Sequence, residues 1–288
     1  MVSNEVLKHI RQIEIYTKRL LRGSLVGQSS SAVKGSGFEF DQIREYQQGD
    51  DVRFIDWKSS ARTNKLMVRQ YIEERSRSII LAVDVSASGF FGSDEHTKHH
   101  VMTEIAAVVA LAADVAKDRV GLLLFSQEAE LFIPPNSGQK HVRHLLEKLF
   151  SYTPKQKKTS VNAALEYVAK FRIKDAVIFL ISDFISPSFE KALGIVAKRY
   201  EMIAVRCLDK NELEMPRAGL LTMVDYETGE EITVDARSTK TAANKFCKQR
   251  LFDQNKLFNK YGIDLFEVKS AQPYIRDMVR FFQKRMLY

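Results

Sequence analysis

Residues 78–88 read SIILAVDVSAS and join an apolar run to a row of oxygen-bearing side chains. The run Ile79–Val83 has the continuous aliphatic character of a strand that is covered on both faces. Asp84, Ser86 and Ser88 then follow at every second residue. In open α/β sheets, ligands bind outside the carboxyl ends of the strands. The stretch therefore predicts a central strand that ends in a polar site.

Strands and helices alternate along the chain from residue 78 onward. We predict strands at about 79–84, 120–125, 130–133, 176–182, 201–208 and 263–268 from their apolar runs. We predict helices at about 97–117, 139–150, 161–172, 188–199, 240–261 and 271–287. This order predicts an α/β fold, a doubly wound and mostly parallel sheet with helices on both faces. A β-hairpin insertion is expected near 220–235, with its turn at Thr228-Gly229.

The first part of the chain has a different pattern. An amphipathic helix is predicted over residues 3–22, followed by a Gly/Ser-rich loop. Short strand-like pieces separated by turn residues then indicate a small β-type module up to about residue 74. We therefore expect two domains, residues 1–77 and residues 78–288.

Composition limits the class of protein. The 288 residues and a hydrophobic content of 45% are enough for a buried core. Cys207 and Cys247 lack metal-type spacing and suggest a reduced compartment. The sequence begins without a secretory signal pattern and has no apolar run near the roughly 20 residues of a spanning helix. We expect a cytoplasmic protein.

The net charge of +8 is concentrated near the C-terminus, in residues 236–288. There Arg276, Arg280 and Lys284 share one stripe of the last predicted helix, and apolar residues form another stripe. This pattern favours a packed terminal helix with a solvated basic face. An acidic protein partner, an anionic membrane surface and nucleic acid remain alternatives.

A second predicted strand also ends in a carboxylate, since Asp183 follows VIFLIS. Either aspartate alone is explained by capping of the next turn or helix. With Thr159 in a preceding loop, however, the candidate donors are all oxygen, which suits Mg2+ or another hard divalent cation such as Mn2+ or Ca2+. Neutral hydroxyls leave such an ion incompletely neutralised, so an external anion is expected to complete its shell.

The motif DVSAS, together with Thr159 and the Asp183 of LISDF, resembles the metal-ion-dependent adhesion site of von Willebrand factor A-type domains. The resemblance implies a von Willebrand factor A-like domain. It also implies that a divalent ion is held by five residues: Asp84, Ser86, Ser88, Thr159 and Asp183. An acidic residue of a partner protein would complete that site.

A longer stretch, GSGFEFDQIREYQQGDDVRFIDWKSSARTNKLMVRQYIEER, resembles the hallmark region of the bacterial domain-of-unknown-function 58 family. The similarity continues through DRVGLLLF, IPP, LISDF and DYETGE. It implies a cytoplasmic partner of MoxR-type AAA+ ATPases that helps to assemble or activate acidic client proteins or to insert metal into them. Membrane association through protein partners stays open.

Other functions have weaker support in the sequence. A metal-dependent phosphohydrolase with Asp84 as nucleophile would need a general acid two residues on, where Ser86 stands. The basic C-terminal segment lacks the interleaved aromatic residues of a nucleic-acid platform. No catalytic residue is predicted. We expect a non-enzymatic, metal-dependent protein-binding module.

The charged segment from Asp50 to Arg62 has two interpretations. Its acidic and basic residues are expected to form an ion-pair network that docks the β module on the α/β domain, with Trp57 packed beside it. A contact patch for the ATPase is the alternative.

Overall fold

The computed structural model describes most of the chain from residue 39 onward. The described residues are 11, 39–72, 77–90, 97–209, 212, 219–225, 227–270 and 273–286. Apart from Arg11, the helix predicted over residues 3–22 lies outside them. Residues 39–72 and residues 77–286 fall in two separate compact units.

The smaller unit contains a two-stranded antiparallel sheet, β1 (Glu39–Glu45) and β2 (Met67–Ile72). A 3-10 helix (Val52–Phe54) and helix α1 (Trp57–Thr63) lie between these strands in sequence. Asp56 caps α1 by accepting from the backbone N–H groups of the next helical residues.

Charged residues of the smaller unit form ion pairs with one another. These pairs include Arg44–Asp50 at 2.7 Å, Arg53–Asp51 at 2.6 Å, Arg69–Asp56 at 2.9 Å and Lys65–Glu45. The expectation that Trp57 is packed beside these charges is wrong, since the residue is 69% exposed.

The larger unit continues the numbering in chain order. Its strands are β3 (Ser78–Asp84), β4 (Arg119–Phe125), β5 (Ala129–Asn136), β6 (Ala176–Ser182), β7 (Glu201–Leu208), β8 (Leu220–Val224), β9 (Glu231–Asp235) and β10 (Asp264–Lys269). Its helices are α2 (Lys98–Val115), α3 (Gln139–Ser151), α4 (Val161–Ala169), α5 (Glu190–Ala197), α6 (Ala236–Lys260) and α7 (Ile275–Met286). A 3-10 turn (Ala87–Phe90) follows β3.

Six strands form the main sheet in the order β10-β7-β6-β3-β4-β5. All neighbours are parallel except β4 and β5, which form an antiparallel edge. Strands β8 and β9 form a separate antiparallel hairpin. The predicted doubly wound, mostly parallel sheet is confirmed, and so is the hairpin.

Helices cover both faces of the sheet. On one face, Leu81 and Val83 of β3 belong to an apolar cluster with residues of α2, α3 and α7. On the other face, Ile80 and Ala82 belong to a cluster with residues of α4, α5 and α6. Because both faces are buried, β3 needs apolar residues at successive positions, which explains the unbroken run in the sequence.

Several element boundaries differ from the prediction. Strand β5 extends over Ala129–Asn136 rather than 130–133. Helix α6 begins at Ala236, four positions before the predicted start, because the Asp235 carboxylate caps it by accepting from the N–H of Arg237.

The terminal helix α7 packs as predicted. Met278 is buried and Phe282 contacts the same apolar cluster, while Arg276 and Arg280 are exposed. Within the part of the chain that is described, no helix combines the length and apolar character needed to cross a membrane.

Candidate cation site

The site lies where the order of strands reverses. Strands β3 and β6 are parallel neighbours in the sheet. Helix α2, which follows β3, lies on one face of the sheet, and helix α4, which precedes β6, lies on the other face. Such a switch point opens a crevice at the carboxyl ends of the strands. Asp84 is the last residue of β3, and Asp183 directly follows the last residue of β6.

The Asp84 carboxylate is almost fully buried, with 2% of the residue exposed. One oxygen, Oδ1, accepts from the N–H of Ser86 at 3.0 Å, and Oδ2 accepts from the hydroxyl of Ser182 at 2.6 Å. Burial, followed by repulsion from Asp183, raises the pKa of Asp84 to about 7. A nearby positive charge would stabilise the ionised carboxylate.

Three hydroxyl groups form a continuous row beside Asp84. Ser86 Oγ lies 3.1 Å from Ser88 Oγ and 2.6 Å from Thr159 Oγ1. Adjacent oxygens of an octahedral Mg2+ shell, with metal–oxygen distances near 2.1 Å, are about 3.0 Å apart. The spacing of these hydroxyls is therefore close to the edges of such a shell.

Backbone hydrogen bonds hold Thr159 against the DVSAS loop. The N–H of Ala87 donates to the carbonyl of Lys157 at 2.9 Å, and the N–H of Ser160 donates to the carbonyl of Ser126 at 2.8 Å. Ser160 also caps α4, since its hydroxyl accepts from the N–H of Ala163. The start of α4 thus fixes Thr159 across from β3.

Asp183 is held by a tight turn and by a buried cation. Its Oδ1 accepts from the N–H of Ile185 at 2.9 Å, next to Phe184, which adopts the left-handed conformation with φ of 56°. Its Oδ2 accepts from Lys98 Nζ at 2.7 Å, and the same ammonium donates to Glu212 Oε1 at 2.6 Å.

Lys98 is wholly buried at the first turn of α2. Burial lowers the pKa of this amine, but attraction to Asp183 and Glu212 more than offsets the effect, so the net pKa is raised. Lys98 is therefore a fixed positive charge inside the site. Sequence reasoning missed it, although a signal existed: Val101, Met102 and Ile105 follow at helical spacing and place Lys98 on the buried face of α2.

A further carboxylate reaches the hydroxyl row from the β8–β9 hairpin. The Thr159 hydroxyl donates to Glu227 Oε1 at 2.7 Å. Glu227 belongs to DYETGE, which entered the prediction from sequence only as part of the family resemblance. The residue was not placed at the site, because it stands 68 positions away from Thr159.

The five predicted ligands thus gather at one edge of the sheet. The Ser86 hydroxyl touches those of Ser88 and Thr159, the Asp84 carboxylate accepts from the N–H of Ser86, and Asp183 lies close enough to Asp84 to raise its pKa. The single Lys98 ammonium faces Asp183 and also Glu212, so the buried carboxylates outnumber it. This all-oxygen, net negative cluster fits a hard divalent cation.

The hydroxyls are essential to that fit. Among the residues that the structure describes, no group of three or more His, Cys, Asp or Glu side chains is poised to hold a metal ion. Imidazole or thiolate coordination is thus not offered by this part of the chain.

The chain belongs to the family described as "Protein of unknown function DUF58", whose family model matches residues 42–254. The family predicted from the sequence is therefore confirmed. One relative is the uncharacterized protein Rv1480 of Mycobacterium tuberculosis, which is 28% identical over 281 residues, covering 96% of this chain and 88% of that protein.

Two solved structures share the fold. The conserved hypothetical protein BatB from Bacteroides thetaiotaomicron matches 74% of this chain and 100% of its own with a TM-score of 0.52 and 14% identity. An aerotolerance-related membrane protein from Bacteroides fragilis matches 73% of this chain and 100% of its own with a TM-score of 0.50 and 13% identity. At these identities the likeness concerns the fold alone.

Proposed function

We propose that this protein is a non-enzymatic protein-binding module whose site holds a divalent cation, Mg2+ or a similar hard ion. Asp84, Ser86, Ser88, Thr159 and Asp183 would hold the ion. When bound, the cation supplies a Lewis-acidic attachment point for a carboxylate of a partner protein. The observation that carries the proposal is the row of three hydroxyls, at 2.6 and 3.1 Å spacing, beside two buried aspartates.

The electrostatics of the site support an acidic partner. Lys98 neutralises only part of the buried negative charge, which favours a divalent cation over an empty crevice. Because most of the ligands are neutral hydroxyls, the ion keeps positive charge that an incoming carboxylate can neutralise. The resemblance to von Willebrand factor A-type adhesion sites points the same way.

The partner we propose is a MoxR-type AAA+ ATPase, together with acidic client proteins that the pair assembles or activates in the cytoplasm. Support for this part comes from the resemblance to the domain-of-unknown-function 58 family. Association with a membrane would then run through those partners.

Co-purification tests the proposal directly. The tagged chain is expected to retain a MoxR-type ATPase from the same organism in Mg2+, and to release it when EDTA removes the ion. Asp84→Asn keeps the size of the side chain but removes its charge. We expect it to weaken retention by about tenfold or more, the scale on which disturbing a metal ligand acts.

Asp175→Asn is the matched control, since Asp175 is exposed at the opposite end of β6 and adopts a left-handed conformation that asparagine also tolerates. It should behave like the unmodified chain. Retention of the ATPase by Asp84→Asn at the control level, or in EDTA, would contradict the proposal.

No observation favours the phosphohydrolase alternative. Both oxygens of Asp84 accept hydrogen bonds, and a serine stands at the position where the general acid is needed.

A further inference from the structure

The β8–β9 hairpin carries an acidic side chain of this same chain into the hydroxyl row. Glu227 Oε1 accepts from Thr159 Oγ1 at 2.7 Å. A carboxylate only accepts, and a threonine hydroxyl has one proton, so that proton is directed at Glu227. The Glu227 carboxylate therefore lies next to the oxygens of the proposed cation site.

The distance suits a ligand of the same ion. Adjacent oxygens around an octahedral Mg2+ are about 3.0 Å apart. The separation of 2.7 Å between Glu227 and Thr159 is similar to the separation of 2.6 Å between Thr159 and Ser86. The Glu227 carboxylate therefore extends the row Ser88–Ser86–Thr159 by one oxygen. Unlike the three hydroxyls, this carboxylate is charged.

The turn of the hairpin is built to present this side chain. Asp225 Oδ1 accepts from the N–H of Glu227 at 2.8 Å, and Asp225 Oδ2 accepts from the hydroxyl of Thr228 at 2.7 Å. The N–H of Gly229, which has a φ of 77°, donates to the carbonyl of Asp225 at 2.7 Å. These bonds fix the turn without help from the main sheet.

The hairpin itself is lightly packed. Three of its apolar side chains are exposed, Leu220 by 77%, Ile232 by 60% and Val224 by 47%, while Leu221 and Val234 are half-buried. Moving the hairpin away from Thr159 would therefore uncover little of the buried core, so the contact of Glu227 is reversible at low cost in hydrophobic burial.

We propose that Glu227 is an internal ligand of the cation, and that it occupies the position which the acidic residue of a partner needs. Partner binding then requires the hairpin to withdraw its carboxylate, so the chain is self-blocked until a stronger acidic ligand arrives. This inference rests on the proposed function, because it requires a cation at the site.

Binding of Mn2+ to the purified full chain tests the inference. Electron paramagnetic resonance gives the free Mn2+ concentration and hence the affinity, and water proton relaxation reports the water molecules on the bound ion. Glu227→Gln is expected to weaken Mn2+ binding by about tenfold, the lower end of the effect of disturbing a metal ligand. It should also raise the relaxation enhancement, because water replaces the carboxylate.

Acetate serves as a simple carboxylate probe. In Glu227→Gln, acetate should lower the relaxation enhancement by displacing that water, whereas in the unmodified chain the same acetate concentration should have little effect. Glu231→Gln removes the same charge from an exposed residue of β9 and should match the unmodified chain.

The outcomes separate the two proposals. If the unmodified chain fails to bind Mn2+, the proposed function falls, and the internal ligand falls with it. If Mn2+ binds but Glu227→Gln has the affinity, relaxation and acetate response of the unmodified chain, only the internal ligand is overturned.

Discussion

Replacing Lys98 by methionine tests the charge balance of the site. Methionine keeps the unbranched length of the side chain and removes the ammonium that bonds Asp183 at 2.7 Å and Glu212 at 2.6 Å. Removing one partner of a buried ion pair costs about 3–5 kcal/mol, because the other charge stays buried without compensation. Since domains are stable by about 5–15 kcal/mol, the loss is a large share of the total.

Urea unfolding followed by far-ultraviolet circular dichroism measures this loss. In EDTA, Lys98→Met should shift the midpoint to clearly lower urea with an unchanged slope. A cation present at a hundred times its dissociation constant stabilises a protein by about 2.7 kcal/mol. Mg2+ should therefore raise the midpoint of the unmodified chain, and should raise that of Lys98→Met by more, because the ion meets more uncompensated charge there.

Lys260→Met is the control. Lys260 pairs with Glu190 at 2.7 Å, but both side chains are about half exposed, so we expect an unchanged midpoint. A loss below about 1 kcal/mol for Lys98→Met in EDTA, far under the usual cost of breaking a buried pair, would refute the reasoning about charge balance.

Two further predictions concern the scaffold. The Glu130 carboxylate accepts from the Ser126 hydroxyl, from the N–H of Lys155 at 2.8 Å and from the Tyr152 hydroxyl at 2.9 Å. Burial acts to raise the pKa of Glu130, but the hydrogen bonds, that of Ser126 first, outweigh burial and lower the net pKa. At neutral pH, Glu130→Gln should therefore lower the free energy of unfolding by about 1 kcal/mol, a small value because solvent screens the carboxylate. The difference between the two chains should disappear once the pH falls through the lowered pKa of Glu130. Urea unfolding at neutral and at acidic pH measures both values. Gly121→Ala should destabilise by about 1–3 kcal/mol in a thermal melt, since its Cβ would lie 3.0 Å from the carbonyl oxygen of Ile133; an unchanged melting temperature would contradict the close approach of β4 and β5.

The sheet could be predicted from the sequence because its strands are buried on both faces. Strands β3, β4 and β6 carry continuous apolar runs, and their predicted bounds agree closely with the structure. Strand β5 is half exposed along its length, so its pattern is weaker and its prediction was too short. The start of α6 was placed late because the cap at Asp235 also belongs to the preceding strand.

The residues singled out in the sequence lie at one edge of the sheet because Asp84 ends β3, Asp183 follows β6, and Thr159 stands two positions before α4. Lys98 and Glu227 were not predicted, since their roles depend on contacts with residues 85 and 68 positions away. The lysine stands in the run TKHH, which is typical of an exposed helix start, and only its spacing to the apolar residues of α2 indicates burial.

The antiparallel edge of the main sheet affects how this protein meets others. Strand β5 ends in Ile133-Pro134-Pro135-Asn136, and a proline has no N–H to offer to an added strand. At the opposite edge, β10 carries the charged residues Asp264, Glu267 and Lys269, which oppose strand addition in a different way. Both borders therefore disfavour the addition of another strand to the sheet by backbone pairing.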